Sequence, residues 1–108
     1  MMNKEERVAQ AVAYFKEGYN CAQSVVLAYA DLYGLTHDLA LHVAASFGGG
    51  IGRMRETCGA ACGMFLLAGF ERCATSGADR EGKAANYALV QQLAEAFKQE
   101  HGTIKCGE

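Results

Sequence analysis

The sequence predicts an all-α protein, a compact bundle of about five short helices. Apolar residues recur at helical spacing in five stretches, and glycines or polar cap residues separate those stretches. No stretch shows the strict alternation of a half-buried strand. The 108 residues are enough for one domain and too few for two. We therefore expect a single helical domain over residues 1–108.

The first helix opens at an asparagine, a residue type that caps helix N-termini well. Asn3 is the predicted cap, with Glu6 three residues later at the capping-box position. Val8, Val12 and Phe15 then follow the helical period. Together with Ala11 they predict an apolar stripe along this helix.

The second and third helices are also preceded by cap residues. The second begins after Asn20, with Gln23 at the capping-box position, and ends at Gly34. Its apolar residues cover a wide face, so we expect it at the centre of the bundle. The third begins after Thr36 and stops at the glycine run that starts with Gly48.

The fourth helix is almost entirely apolar and the fifth is amphipathic. Thr57 is the predicted cap of the fourth, which ends near residues 69–70. Gly63 lies inside it at a cost of about 1 kcal/mol relative to alanine, which predicts close contact with another helix. The fifth runs from an Asp79 cap to about residue 100 and ends at Gly102.

Composition and charge argue against two classes of partner. The net charge is −2 and no run of Lys or Arg exceeds two residues, which argues against a basic nucleic-acid-binding face. The longest apolar run, near residues 60–70, is about half of a membrane span, and the N-terminus lacks the apolar core of a signal peptide. We therefore expect a cytoplasmic protein whose five cysteines are free, metal-bound or transiently oxidised.

Three of the cysteines fall at predicted helix ends. Cys21 and Cys58 each follow a predicted cap, and Cys106 lies just beyond the last helix. The N–H groups and dipole of a helix N-terminus favour a thiolate, the form that attacks disulfides and binds soft metals. Arg53 and Arg55 precede Cys58 and add positive charge. The pattern points to sulfur chemistry, although buried cysteines that act only as small hydrophobes remain an alternative.

The glycine run before the fourth helix has two interpretations. It is either a tight turn that lets two helices approach, or a nest of backbone N–H groups that binds an anion. Phosphate, sulfate or the carboxylates of a small thiol are the ligands that such a nest predicts. It lacks the lysine and the preceding strand of nucleotide-binding loops. The candidate anion-binding residues are Gly48, Gly49, Gly50, Gly52, Arg53, Arg55 and Thr57.

The remaining cysteines raise the question of a metal. Cys62 follows Cys58 by four residues on the same helical face, a spacing that suits two ligands of one metal better than a disulfide. Cys73 stands in a polar turn and reads most simply as an incidental thiol. The candidate metal ligands are Cys21, Cys58, Cys62 and Cys106.

Several of these motifs together resemble one family. The segments are NCAQ at residues 20–23, FGGGIG at 47–52, ETCGA at 56–60 leading to Gly63, and FKQEHGTIKC at 97–106. They resemble the C_GCAxxG_C_C family of redox-active proteins, over about residues 20–106.

The resemblance implies a small helical protein whose family cysteines fall at Cys21, Cys58 and Cys106. The family pattern has a further cysteine, expected beyond Cys106, whereas this sequence ends at Glu108. Either Cys62 or Cys73 takes its place in space, or a four-thiol site is incomplete. A dithiol or three-thiol site is then the more plausible arrangement.

Three functional hypotheses follow. In the first, a thiol oxidoreductase cycles between dithiol and disulfide, with Cys58 as nucleophile, Cys21 as resolving partner and Cys106 as third member. In the second, the same thiolates and Cys62 hold a metal ion or an iron–sulfur cluster. In the third, the helices form a non-catalytic interaction module. The redox partner is unidentified, a small thiol or anion is a candidate ligand, and homo-oligomerisation is compatible with all three.

Overall fold

The described part of the chain contains five α-helices, each of which begins close to where the sequence predicts. The computed structural model describes residues 3–74 and 76–106. The helices are α1 (Lys4–Lys16), α2 (Cys21–Tyr29), α3 (His37–Ala44), α4 (Gly59–Glu71) and α5 (Arg80–His101). Single 3₁₀ turns extend α2 over Ala30–Tyr33 and α3 over Ala45–Phe47. Because these residues contain no strand beyond one isolated bridge, the all-α prediction is confirmed.

Side-chain caps start four of the helices where the sequence predicts them. The capping side chains are those of Asn3, Asn20, Thr36 and Asp79. Asn20 and Gln23 form the reciprocal capping box, with the Gln23 N–H donating to Asn20 Oδ1 at 2.8 Å. Each cap satisfies backbone N–H groups that the helix itself leaves without a partner.

The start of α4 differs from the prediction by one residue. Cys58 is the N-cap, without a side-chain cap hydrogen bond, and Thr57 forms an antiparallel bridge with Lys105. The bridge holds Thr57 in an extended backbone that precedes the helix. A pairing across 48 residues of sequence has no local signal, and for this reason the predicted cap residue, Thr57, was wrong by one position.

None of the helices described is both long and apolar enough to cross a membrane.

The core forms around α2, as predicted. This helix packs against α1, α3 and α4, and Ala22, Val26 and Ala28 within it are almost completely buried. Gly63 of α4 faces it so closely that an added Cβ would lie 2.9 Å from Val25 Cβ and 3.1 Å from the Ala22 carbonyl oxygen. The predicted close helix contact at Gly63 is therefore present.

The predicted apolar stripe of α1 is only half-buried, whereas a charged residue of the same helix is buried. Val8, Val12 and Phe15 are 50%, 48% and 59% exposed, while Arg7 is 4% exposed. The buried guanidinium donates two hydrogen bonds to the Asp31 carboxylate, at 2.7 and 3.1 Å. A buried charge is tolerated when it is paired and hydrogen-bonded. Because Arg7 has to face Asp31, this ion pair sets the rotation of α1 about its own axis.

The remaining helix, α5, covers α4 with an amphipathic face and has no fully buried residue. Its N-terminal half is tied to the end of α4 by a hydrogen bond from Asn86 Nδ2 to the Arg72 carbonyl oxygen, at 2.8 Å. Gly102 ends it in the left-handed conformation, with φ at 82°. The chain beyond this glycine turns back toward the beginning of α4.

The two interior glycines of α4 provide a matched test of helix packing. Gly63→Ala should destabilise the protein by about 1–2 kcal/mol, because crowding against α2 outweighs the gain of about 1 kcal/mol in helix propensity. Gly69→Ala, at a position with no atom within 4 Å of the added Cβ, should stabilise it by up to about 1 kcal/mol. Urea unfolding of both variants measures the difference, and equal effects would contradict the close α2–α4 contact.

The hydroxyl of Tyr33 generates a pH dependence of stability. It donates to Glu71 Oε1 at 2.6 Å, and burial together with this bond raises the pKa of Tyr33 from 10.0 to about 12. The folded protein therefore holds the proton more tightly than the unfolded chain. This contribution to stability is complete below pH 10 and is lost as the pH rises to about 12.

Tyr33→Phe should remove that dependence. Between pH 10 and 12 the free energy of unfolding should fall less steeply in the variant than in the parent protein, because the variant has no hydroxyl to ionise. Urea unfolding at intervals across this range gives both slopes. Identical slopes would show that the Tyr33–Glu71 contact contributes no proton linkage.

Candidate functional site

The N-termini of α2 and α4 lie side by side and bring two cysteines together. Cys21 is the first residue of α2, and Cys58 directly precedes α4. The Cys21 sulfur lies against Gly59, the residue that follows Cys58, so closely that a Cβ at Gly59 would overlap it. The Phe47 carbonyl oxygen closes the same space from the other side, 2.9 Å from that Cβ position. Only glycine lets the two helix ends meet in this way.

The third cysteine of the site, Cys106, lies in the tail that follows α5. After α5 the tail pairs with the segment before α4, so that Thr57 lies opposite Lys105. The Cys106 N–H donates to the Glu56 carbonyl oxygen at 2.7 Å, and the Cys58 N–H donates to that of Ile104. In this antiparallel register Cys58 lies opposite Ile104 and Cys106 lies opposite Glu56, so the bridge brings the two cysteines into one short paired segment.

A fourth cysteine joins the group and the fifth does not. Cys62 is buried one turn into α4, with its thiol pointing to the Thr57 carbonyl oxygen at 3.8 Å. Burial raises the pKa of the Cys62 thiol, and the neighbouring Cys58 and Cys21 raise it further, so all three sulfurs lie within electrostatic range. Cys73 is exposed beyond the other end of α4, about 18 Å along the helix axis.

The glycine run forms a left-handed loop. Five consecutive residues, from Gly49 to Arg53, have φ between 59° and 77°, and Arg55 follows with φ at 59°. Ile51, Arg53 and Arg55 are not glycines, and such a conformation costs them about 1–3 kcal/mol each. The turn is held by its own backbone. The Arg53, Arg55 and Glu56 N–H groups donate to carbonyl oxygens earlier in the loop, at 3.0–3.3 Å.

Three glycines of the loop allow close approach. A Cβ at Gly48 would overlap the Asn20 side chain, and one at Gly50 would lie 2.5 Å from Cys106 Cβ. Gly49 accommodates the side-chain stem of Arg53, whose Cγ would be 2.8 Å from an added Cβ. The predicted close-packing role therefore describes this loop well. Because several loop amides are used within the turn, the predicted anion nest would depend mainly on the arginine side chains.

The loop, the tail and the start of α2 enclose an open cleft of about 840 Å³. Its walls carry two thiols, two guanidinium groups and aromatic rings, which belong to Cys21, Cys106, Arg53, Arg55, Phe15 and Tyr19. Arg55 Nη1 lies 3.5 Å from Cys106 Sγ. Neither guanidinium forms an ion pair with the described residues, and no acidic side chain lines the cleft.

The predicted site residues thus divide into two groups. Cys21, Cys106 and the loop residues Gly48, Gly49, Gly52, Arg53 and Arg55 line the cleft. Cys58 is half-buried behind Cys21, Gly50 is buried behind Cys106, and Thr57 is engaged in the bridge to Lys105. In the part of the chain that the structure describes, no three His, Cys, Asp or Glu side chains have an arrangement that could hold a metal ion. The metal hypothesis therefore stays a prediction.

Two contacts of the site could not be found from the sequence. The tail returns to residues 56–58 through main-chain hydrogen bonds, which any residue type can form. Arg55 contacts Cys106 across 51 residues of sequence, a separation over which no local pattern can predict a contact. The glycine run is a local signal for this site, because two segments of backbone that approach each other closely require residues without a Cβ.

One of three comparisons with known proteins identifies a family for this chain. No curated protein and no solved structure matches the chain. A family model described as "Putative redox-active protein (C_GCAxxG_C_C)" matches residues 19–108, which include all five cysteines and the glycine loop. The chain therefore belongs to the C_GCAxxG_C_C family.

Proposed function

We propose that this protein is a thiol oxidoreductase in which Cys21, Cys58 and Cys106 alternate between dithiol and disulfide. One observation carries the proposal: the Cys21 sulfur touches the residue next to Cys58 and lines the same cleft as Cys106. Cys21 therefore contacts the start of α4 and shares a cleft with Cys106. Membership of a redox-active family supports the same chemistry. All three thiols are free and half-buried, which suits exchange with a ligand in the cleft.

The α4 N-terminus supports the proposal electrostatically. Its first N–H groups have no side-chain cap, since Cys58 occupies the cap position without a cap hydrogen bond. Uncapped N–H groups and the helix dipole stabilise negative charge on a nearby sulfur. The burial that raises the pKa of Cys62 has the opposite effect, because it holds that thiol protonated at neutral pH. Cys62 is therefore assigned a packing role rather than a first attack.

Access to the cleft suggests an order of events. The sequence assigns the first attack to Cys58, but Cys106 lines the cleft, beside Arg55, and Cys58 does not. In the proposed order the Cys106 thiolate attacks an external disulfide RSSR, forming Cys106–S–S–R and releasing RS⁻. Cys21 then attacks Cys106 Sγ, which releases the second RS⁻ and leaves a Cys21–Cys106 disulfide.

The exchange transfers two electrons from the protein thiols to the external disulfide. Two cysteine thiols are oxidised, one external disulfide is reduced to two thiols, and the two cysteine protons end on the two released thiolates. Attack by Cys58 on Cys21 transfers the bond to a Cys21–Cys58 disulfide and frees Cys106. A low-molecular-weight thiol reverses the steps and closes the cycle.

An interaction module remains the second candidate function. The apolar stripe of Val8, Val12 and Phe15 on α1 lies about half exposed and borders the cleft through Phe15. If interaction alone were the function, replacing Cys21 and Cys58 by serine would leave activity in cells intact. Loss of activity in that variant would favour the redox function.

Cysteine variants test the proposed cycle. With bis(2-hydroxyethyl) disulfide as oxidant, the parent protein should lose two free thiols and form an intramolecular disulfide within the set Cys21, Cys58 and Cys106. Cys106→Ser should react at least about tenfold more slowly, and Cys21→Ser should accumulate a mixed disulfide, because the resolving thiol is missing. Thiol titration and peptide mass spectrometry measure both.

Cys73→Ser is the matched control, because that thiol is exposed beyond the opposite end of α4. It should cycle like the parent protein. The cycle would be refuted by a parent protein in which only Cys73 is oxidised. Oxidation of the Cys106→Ser variant at the parent rate would instead show that another cysteine makes the first attack.

The contact between Gly59 and the Cys21 sulfur offers a second test. Gly59→Ala should slow formation of the intramolecular disulfide at least about tenfold, because the added Cβ displaces the sulfur. Gly63→Ala is the control, since it crowds the same two helices without touching a sulfur. Disulfide formation in Gly59→Ala at the parent rate would show that this contact does not position Cys21.

A further inference from the structure

The cleft contains charge that the exchange chemistry alone does not require. Arg53 and Arg55 both line it, carry no carboxylate partner among the described residues, and share its wall with Cys21 and Cys106, the second of which Arg55 contacts. Guanidinium groups bind carboxylates through paired hydrogen bonds and are therefore found where planar anions are recognised. Among the residues that the structure describes, no Asp or Glu lines the cleft beside them.

The backbone holds both arginines in place at an energetic cost. Both have positive φ, a conformation that non-glycine residues avoid, and the Arg53 stem lies across Gly49. Hydrogen bonds from the N–H groups of both residues fix the loop beneath them, at 3.1 and 3.3 Å. Strained residues of this kind persist where the surrounding structure imposes them, and they cluster at binding sites.

The size and shape of the cleft limit the ligand. Its volume of about 840 Å³ falls within the range of about 300–1,000 Å³ that is usual for small-molecule sites. The rings of Phe15 and Tyr19 add apolar walls beside the charged loop. A concave site with aromatic walls, two cations and two thiols matches a small molecule that carries both sulfur and negative charge.

We infer that the substrate is a low-molecular-weight disulfide bearing carboxylate groups, held by Arg53 and Arg55 while Cys106 attacks its sulfur. This rests on the proposed function, because the exchange at Cys106 and Cys21 is the reaction that the arginines would serve. One carboxylate pairs with the guanidinium groups and places the disulfide bond beside Cys106, which Arg55 already contacts. The reaction is the exchange already written, with the anionic disulfide as the oxidant that is reduced to two thiols.

The net charge of the protein does not itself favour an anionic disulfide. At −2 the whole chain repels anions weakly, so a preference for an anionic disulfide has to come from a local group of cations. The preference should also weaken in high salt, because the guanidinium groups are exposed to solvent.

Three disulfides of different charge test the inference on the intact protein. They are 3,3′-dithiodipropionate, which is a dianion, bis(2-hydroxyethyl) disulfide, which is neutral, and cystamine, which is a dication. Each rate of protein oxidation is divided by the rate of the same disulfide with a short, uncharged cysteine peptide, which removes differences in intrinsic reactivity. The dianion should exceed the dication by roughly tenfold, and 0.5 M salt should reduce that ratio to about two.

Arg53→Gln separates binding from chemistry, because Arg55 also touches the Cys106 sulfur. This variant should lose most of the preference for the dianion, mainly through a higher KM. Arg72→Gln, which removes an exposed arginine at the far end of α4, should keep the parent ratio.

The outcomes distinguish the inference from the function on which it rests. Equal normalised rates for all three disulfides would overturn the inference and leave the thiol cycle intact, since the neutral disulfide would still oxidise the protein. A preference that survives in Arg53→Gln would overturn the assignment to this loop. Failure of all three disulfides to oxidise Cys21, Cys58 or Cys106 would refute the cycle and the inference together.

Discussion

The close approach of α2 and α4 is the constraint on which the rest of the structure depends. Gly59 and Gly63 lie one turn apart on α4, and both face α2 so closely that an added Cβ would force neighbouring atoms to move. Each glycine makes the α4 helix less favourable than an alanine would, and the packing of α4 against α2 compensates for this loss of free energy. Because the contact extends to the helix ends, it does more than build a core. It fixes the start of α2 beside the start of α4, and therefore Cys21 beside Cys58.

A second constraint completes the site at its outer side. The left-handed loop before α4 and the tail after α5 are joined by backbone hydrogen bonds and by the fit of Gly50 against Cys106. Neither segment has regular secondary structure of its own, so each stabilises the conformation of the other. The strain at Ile51, Arg53 and Arg55 is maintained by this pairing and by the helices beneath it. The cleft is thus a product of tertiary contacts, supported by a helical scaffold.

The sequence predicted the helices well because their signals are local. Caps at Asn3, Asn20, Thr36 and Asp79 act within one turn, and the apolar period is visible in any window of a dozen residues. The burial of Arg7 on α1 had no local signal, because it depends on Asp31, 24 residues away. The Thr57 cap was wrong for the same reason, since a bridge to Lys105 holds that residue. The cysteines of the site were identified by residue type and motif, whereas their relative access required the fold.

The length of α5 has a consequence for how this chain can change. Its 22 residues span about 33 Å and deliver the tail to a fixed point beside α4. Adding or deleting one residue within α5 would rotate everything after it by about 100° and shift it by about 1.5 Å, turning Cys106 away from its partners. The number of residues in α5 therefore determines whether the last cysteine of the site reaches the loop before α4.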